Sequence, residues 1–166
     1  PVPRGGEGVL AVDRHDPGLF LGYFGDDAAT KARFQGDWYL TGDIGCMAQD
    51  GAITYLGRRD DMMNAGGYRV SPLEVEAALA AFPGITDCAA IEVEVKPGTT
   101  IIACVYAAAA PLDEATLQAF AAQALARYKQ PRAYHHQAQL PRNANGKLNR
   151  RRLRQIIANP SPSPAQ

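Results

Sequence analysis

The sequence is poor in cysteine and contains no long apolar run. Only three of its 166 residues are cysteine, and no two of them form a CxxC pair. A zinc or redox motif is therefore not expected, and isolated thiols favour a reducing, cytoplasmic compartment. No apolar run approaches the roughly 18 residues that a membrane helix needs, so we expect no membrane partner.

Acidic residues are missing from residues 115–166, which carry nine Lys and Arg. Residues 1–114 hold all 17 acidic residues and only eight basic ones, so the formal net charge of zero divides into −9 and +9. This asymmetry favours an anionic partner for the basic end. A solvated basic helix is one alternative, and a nucleic-acid-binding patch at residues 150–154 is another.

Glycine is concentrated in residues 1–57, which contain 11 of the 16 glycines. Short apolar runs alternate there with Gly and Asp turns, a pattern that predicts a β-meander. The predicted strands are Val9–Val12, Trp38–Leu40, Ile44–Met47 and Ile53–Leu56. A meander of this size is too small to bury both of its faces. We therefore expect it to be a fragment of a larger barrel or sheet, the rest of which precedes Pro1.

After Gly57 the pattern changes to alternating helices and strands. Ser71 and Glu74 form a capping box with proline at the first helical position, and Asp113 caps a second apolar stripe at helical spacing. Strands are predicted near residues 91–95, 101–106 and 133–138, and a final helix at 149–158.

These elements predict an α+β fold, with a small C-terminal α/β domain built from a three-stranded sheet and helices. The β-rich segment precedes it. The proline-rich residues 159–166 predict a disordered tail.

Three short segments stand out as candidates for chemistry. They are Tyr39–Asp43, residues 57–70, in which Gly-Arg-Arg-Asp-Asp is followed by Gly-Gly-Tyr-Arg-Val, and Leu140–Arg150, which contains Asn-Gly-Lys. Taken singly, each is typical of a turn or of a surface ion-pair cluster that contributes little stability.

In their order and spacing, the three segments resemble the C-terminal signature of the adenylate-forming superfamily. That superfamily includes acyl-CoA synthetases, adenylation domains of peptide synthetases and luciferases. The resemblance covers about residues 5–154. It implies that residues 1–59 end a large N-terminal domain, in its barrel subdomain, and that residues 60–158 form a mobile C-terminal domain. The sequence contains no Ser/Thr/Gly-rich phosphate loop ending in lysine, a motif that the family places in the large domain.

The resemblance assigns roles in the ATP-dependent step to four residues. Asp43 matches the aspartate that binds the ribose hydroxyls, and a carboxylate is suited to accept from a cis-diol. Arg58 matches an arginine that also contacts the ribose. Asp60 matches the hinge between two catalytic poses, and Lys147 matches the catalytic lysine of adenylation.

Three further residues are assigned to the coenzyme A side. Gly66 and Gly67 match the loop that lines the pantetheine tunnel, where glycine allows a thin ligand to run close to the backbone. Arg69 is expected to be a CoA-side contact. The Gly-Gly-Tyr-Arg segment followed by Ser-Pro looks more like the CoA-using branch of the superfamily. No metal ligand is expected in this chain, because Mg²⁺ would be bound mainly by the large domain.

The implied function is that of an AMP-forming acyl-CoA synthetase. It converts a carboxylic acid, ATP and CoA to acyl-CoA, AMP and pyrophosphate through an acyl-adenylate. The alternatives are an adenylation domain that loads a carrier protein, and a basic nucleic-acid- or protein-binding module. Without the large domain we expect the chain to be inactive, and to self-associate through the exposed strands of residues 1–57.

Overall fold

The chain divides after Asp60 into two units of structure, residues 1–60 and residues 61 onward. A computed structural model describes residues 1–158, and the tail expected at 159–166 lies outside the described residues. No helix in the described part of the chain is long and apolar enough to cross a membrane.

The first unit is a four-stranded antiparallel sheet with a short helix. Its elements are β1 (Glu7–Asp13), α1 (Asp27–Ala32), β2 (Phe34–Gln35), β3 (Trp38–Met47) and β4 (Ile53–Arg58). The long strand β3 is central, because β1 pairs along one side of it while β2 and β4 pair with its two ends on the other side.

This sheet differs from the predicted meander in two respects. The strands expected at Trp38–Leu40 and Ile44–Met47 form one continuous strand. Gly42, which lies between them, adopts a φ of +80°, and the register shifts where β3 pairs with β1 and where it pairs with β4. Helix α1 was not predicted. It has only six residues and is held by the Asp26 carboxylate, which accepts from the Ala29 N–H at 2.8 Å. A helix this short shows no apolar periodicity.

The second unit contains a β-hairpin and a mixed three-stranded sheet with helices. Its elements are β5 (Met63–Ala65), β6 (Tyr68–Val70), α2 (Pro72–Ala80), β7 (Asp87–Lys96), β8 (Thr99–Ala107), α3 (Glu114–Ala124), a 3₁₀ turn (Arg127–Lys129), β9 (Ala133–Gln137) and α4 (Arg150–Ala158). β8 is central, antiparallel to β7 and parallel to β9, while β5 and β6 pair with each other. The α+β prediction is confirmed, and the strand predicted near residues 101–106 is the central one.

Helices cover both faces of this sheet. On one face Val75 and Leu79 of α2 and Leu117 of α3 are fully buried in a core with alternate residues of the strands. On the other face Leu153 of α4 is fully buried in a second core, whose other buried members are Ala89, Ile91, Ala103, Val105 and Leu140. The first half of β7 is consequently buried on both faces. The second half of β7 is less buried, and its last three residues, Glu94 to Lys96, are exposed.

Both predicted helix caps are present. The Ser71 hydroxyl accepts from the Glu74 N–H at 3.4 Å, and the Asp113 carboxylate accepts from the Thr116 N–H at 2.8 Å. The hydrogen bonds from Thr116 lower the pKa of Asp113. The Glu74 carboxylate accepts two hydrogen bonds from Lys129, at 2.6 and 2.8 Å, and thereby ties the start of α2 to the 3₁₀ turn.

Candidate functional site

Asp43 and Arg58 lie directly opposite each other on strands β3 and β4. Their side chains form an ion pair with an Nη1–Oδ1 distance of 3.0 Å, and Arg58 also donates to the Thr41 carbonyl at 3.0 Å. The hydrogen bond to Asp43 raises the pKa of Arg58. The Asp43 side chain keeps 28% of its surface exposed, so the carboxylate remains accessible to a ligand. The structure thus brings together two residues that the sequence predicted to share one ligand group.

The turn before Asp43 is fixed by hydrogen bonds on several sides. The Thr41 hydroxyl donates to the Leu10 carbonyl at 2.9 Å and accepts from the Asp43 N–H at 3.0 Å. A side chain at Gly42 would be strained by its positive φ, and its Cβ would lie 3.1 Å from Nη2 of Arg58. Glycine at this position therefore lets the guanidinium lie directly over the backbone.

Lys147 lies on the loop between β9 and α4, and its side chain is exposed. Asn143 binds the backbone of Lys147 twice: its N–H donates to the Lys147 carbonyl at 2.8 Å, and its Oδ1 accepts from the Lys147 N–H at 2.9 Å. The Gly146 N–H donates to the Asn143 carbonyl at 2.9 Å. The flexible Lys147 side chain is therefore carried by a backbone that has little freedom.

Helix α4 starts at Arg150, immediately after this loop, and a buried ion pair fixes its first turn. Arg150 donates to the Glu76 carboxylate at 2.7 Å, and the same oxygen accepts from the Ala90 N–H at 2.8 Å. Burial raises the pKa of Glu76, against the lowering effect of Arg150 and Ala90. Arg150 was read from the sequence as part of an exposed basic patch, but its side chain is only 10% exposed. The Arg150 side chain therefore contributes little to an exposed basic patch at residues 150–154.

Gly66 and Gly67 form the two-residue turn of the β5–β6 hairpin. Both have positive φ, +59° and +86°, the combination that a type I′ turn requires. A Cβ at either position would meet no atom within 4 Å, so the space over the turn is open. Arg69 lies on β6, paired in register with Asn64, and lines a groove together with Gly67.

A small cavity of about 150 Å³ lies beside Gly66. Its walls include Arg127, the first residue of the 3₁₀ turn, and Arg132, which follows that turn. They also include Tyr128, whose ring lies 4.7 Å from the ring of Tyr68. Sequence reasoning placed these arginines in a generally basic segment but did not associate them with the glycine turn. Their separation from Gly66 by some 60 residues left no local signal.

No group of three or more His, Cys, Asp or Glu side chains within residues 1–158 is arranged to hold a metal ion. The residues present therefore do not fit a metal site. His136 is tied to the fold, with Nε2 lying 3.0 Å from the Ala108 carbonyl oxygen.

Comparison with known proteins adds to this geometry. Residues 74–147 match the family of AMP-binding enzyme C-terminal domains. The chain is 38% identical over 137 residues to a 2-succinylbenzoate–CoA ligase from Bacillus licheniformis, covering 82% of this chain and 29% of the ligase. It is 36% identical over 162 residues to a dimodular nonribosomal peptide synthase from Bacillus subtilis, covering 92% of this chain and 7% of the synthase.

A solved structure gives the same result for the fold. The o-succinylbenzoate CoA synthetase of Bacillus subtilis, in complex with its acyl-adenylate intermediate, superposes with a TM-score of 0.85 and 30% identity, covering 92% of this chain and 31% of that one. The chain therefore belongs to the adenylate-forming superfamily and is similar to the C-terminal part of its CoA ligases. It spans about 30% of the length of the CoA ligases that it matches.

Proposed function

We propose that this chain supplies part of the active site of an AMP-forming acyl-CoA synthetase. In the first half-reaction a carboxylate oxygen attacks the α-phosphorus of ATP, and the bond to the leaving pyrophosphate breaks. In the second, the thiol of CoA loses its proton and attacks the acyl carbonyl, and the bond to AMP breaks. The observation that carries the proposal is the exposed Lys147 on its hydrogen-bonded loop.

Lys147 would act in adenylation. Negative charge builds up on the attacking oxygen, the phosphoryl oxygens and the leaving pyrophosphate. An ammonium group on a long stem can reach the region between acid and phosphate. Removal of one preorganised donor of this kind costs about 10²–10³ in rate. The rigid backbone around Lys147 supports this role, because only the side chain would need to be ordered when ATP binds.

Asp43 and Arg58 would bind the ribose of ATP. The exposed part of the Asp43 carboxylate can accept from the two ribose hydroxyls. Arg58 would both hold that carboxylate in place and offer its own N–H groups to the sugar. Their 3.0 Å ion pair supports the assignment, since it preorganises the acceptor before the ligand arrives.

Gly66, Gly67 and Arg69 would line the path of the pantetheine arm of CoA. The open space over the glycine turn supports this assignment. Arg127 and Arg132 beside Gly66 offer two positive charges to the phosphates of CoA.

A pantetheine arm carried by a protein would fit the same turn, so loading of a carrier protein is the second candidate. The similarity to a nonribosomal peptide synthase favours keeping it. A basic nucleic-acid- or protein-binding module is the weaker alternative, because Arg150 is buried and paired.

Asp60 would be the hinge between the two half-reactions. It is exposed and lies at the end of the first unit, where the chain passes to the second. In this proposal residues 1–59 end the large N-terminal domain and residues 60–158 form the domain that rotates.

Mg²⁺ that accompanies ATP would be held by the phosphates and by residues outside this chain. We propose a cytoplasmic location, based on the three free thiols.

The chain on its own would be inactive, and it would self-associate through its first unit. Trp38, Ile53 and Tyr55 are 52%, 54% and 49% exposed on strands β3 and β4. Strands with exposed apolar residues tend to associate with another chain when the strands that would cover them are absent. Gel filtration of residues 1–166 measures this, and a well-ordered monomer would contradict it. Release of pyrophosphate by the isolated chain would contradict inactivity.

The central test measures both half-reactions of the Lys147→Ala variant in the full-length enzyme. Adenylation is measured as pyrophosphate release with ATP and acid, and thioester formation is measured with synthetic acyl-adenylate and CoA. We expect Lys147→Ala to slow adenylation by about 10²–10³ and to leave thioester formation within about twofold of wild type. Equal losses in the two assays, or no loss, would remove Lys147 from the proposal. Replacing CoA by a phosphopantetheinylated carrier protein in the second assay separates the two candidates.

A further inference from the structure

The side chain of Arg142 joins the tip of the Lys147 loop to the start of the sheet. Its Nη1 donates to the Gly146 carbonyl at 3.0 Å, and its Nη2 donates to the Asp87 carboxylate at 2.6 Å. Gly146 directly precedes Lys147, and Asp87 is the first residue of β7. One planar guanidinium thus joins the loop to Asp87, which lies 55 residues before Arg142 in the sequence.

Asp87 provides a fixed point. It pairs in register with Ala107 at the end of the central strand, and the preceding Thr86 N–H donates to the Ala107 carbonyl at 2.9 Å. The loop itself is closed by Asn143, which binds the backbone of Lys147 from the other side. Asn143 controls the shape of the loop, but it belongs to that loop. Among the hydrogen bonds described for residues 143–147, only the one from the Arg142 guanidinium connects the loop tip to the sheet, while Leu148, the next residue, packs against the second core.

We propose that Arg142, anchored by Asp87, is a positioning residue for Lys147. The proposal rests on the adenylation role of Lys147 given above. With the Gly146 carbonyl held against the sheet, the Cα of Lys147 keeps one place and direction relative to β7. Without the bridge the loop would keep its internal hydrogen bonds but could tilt as a body. Small displacements of a catalytic group can cost up to about 10²-fold in rate.

The exposure of the pair separates positioning from general stability. Arg142 and Asp87 are 48% and 36% exposed in their side chains, and ion pairs at such positions contribute little to folding. Lysine at position 142 would keep the positive charge but could not donate in two fixed directions. Arg142→Lys should therefore disturb the loop without unfolding the domain. Asp87→Asn removes the charged anchor and leaves Arg142 intact.

The chain offers a matched control in its first unit. Arg14 is 51% exposed, donates to the Gly36 carbonyl at 3.0 Å and lies 3.9 Å from the Asp37 carboxylate. Like Arg142 it has a backbone carbonyl and an acid nearby, although it also lies over the ring of Phe34, and it is not attached to the Lys147 loop. Arg14→Lys is expected to leave both half-reactions within about twofold of wild type.

The experiment measures kcat and KM for both half-reactions in the full-length enzyme. We expect Arg142→Lys and Asp87→Asn each to lower kcat of adenylation by about tenfold or more, with KM for ATP, thioester formation and the urea midpoint close to wild type. In the double variant Arg142→Lys/Lys147→Ala, adenylation should be no slower than in Lys147→Ala alone, because a positioning residue has nothing left to position.

Each other outcome has a definite meaning. If Lys147→Ala slows adenylation but Arg142→Lys and Asp87→Asn do not, the positioning role is wrong while the proposed function stands. If Arg142→Lys slows both half-reactions alike, lowers the urea midpoint, or adds its full effect in the Lys147→Ala background, Arg142 acts in some other way. If Lys147→Ala itself leaves adenylation unchanged, the proposed function fails and the positioning role fails with it.

Discussion

Replacing Arg150 by methionine tests the buried pair at the start of α4. Methionine fills similar volume, but it leaves the Glu76 carboxylate with one described hydrogen bond, from the Ala90 N–H at 2.8 Å. Glu76 is only 15% exposed, so water cannot replace the lost guanidinium. Breaking a buried pair by removing one partner costs about 3–5 kcal/mol. We expect a loss of this size in the free energy of unfolding.

Urea unfolding of the chain, followed by far-ultraviolet circular dichroism, measures the loss. Lys129→Met is the matched control, because it breaks the Lys129–Glu74 pair, whose side chains are 21% and 47% exposed. That change should cost no more than about 1 kcal/mol. A cost for Arg150→Met below about 1 kcal/mol would refute the reasoning, because it would mean that Glu76 is well solvated without its partner.

The pH dependence of the deficit supplies a second check. Burial holds the pKa of Glu76 above its ordinary value of 4.5 in the folded state. A raised folded-state pKa adds stability that is fully present below the unfolded-state pKa and is lost as the pH rises through the folded-state pKa. Loss of Arg150 should raise this pKa further. The deficit of Arg150→Met should therefore shrink as the pH falls below neutrality, because Glu76 takes up a proton more readily in the folded variant than in the folded wild type. A constant deficit would contradict this account.

Three further predictions concern other parts of the chain. Gly42→Ala should raise KM for ATP in the full-length enzyme, because the positive φ and the 3.1 Å approach of Arg58 oppose a Cβ; an unchanged KM would argue against a ribose site there. Burial raises the pKa of Cys88 to about 12 and also raises that of Cys104, so a thiol reagent at pH 8 should modify only Cys46 until urea is added, and prompt reaction of all three thiols would show that the core is open. Asp60→Pro should slow one half-reaction far more than the other, since proline fixes φ near −65°, and equal slowing would remove Asp60 as the hinge.

Local signals predicted the second unit well. Ser71 and Asp113 cap the helices that their sequence context indicated, and the apolar run near residues 101–106 is the central strand. These features depend on residues within a few positions of one another, so sequence patterns contain them. The pairing of β1 with β3 and the short helix between them were not predictable in this way, since a strand pattern does not say which distant strand will pair with it.

The candidate site could be proposed from residue types in the sequence, but the contacts around it could not. Lys147 and Asp43 stood out through the motifs around them. Nothing in the sequence indicated what the two arginines near Lys147 contact. Arg150 binds Glu76, 74 residues away, and Arg142 binds Asp87, 55 residues away. An arginine in a basic run has the same sequence appearance whether it is buried and paired or exposed to solvent. Only the folded chain distinguishes the two cases.

The position of α4 has a consequence for the order in which the chain becomes stable during synthesis. Leu153 of α4 closes the second core, so the face of the sheet that carries Ala89 and Ile91 stays uncovered until α4 has left the ribosome. The Lys147 loop precedes α4 by only a few residues and would reach its final place at the same time. A nascent or truncated chain that ends before residue 150 would therefore expose apolar strand surface to chaperones and proteases, and it would do so before the loop that carries Lys147 had reached its final place.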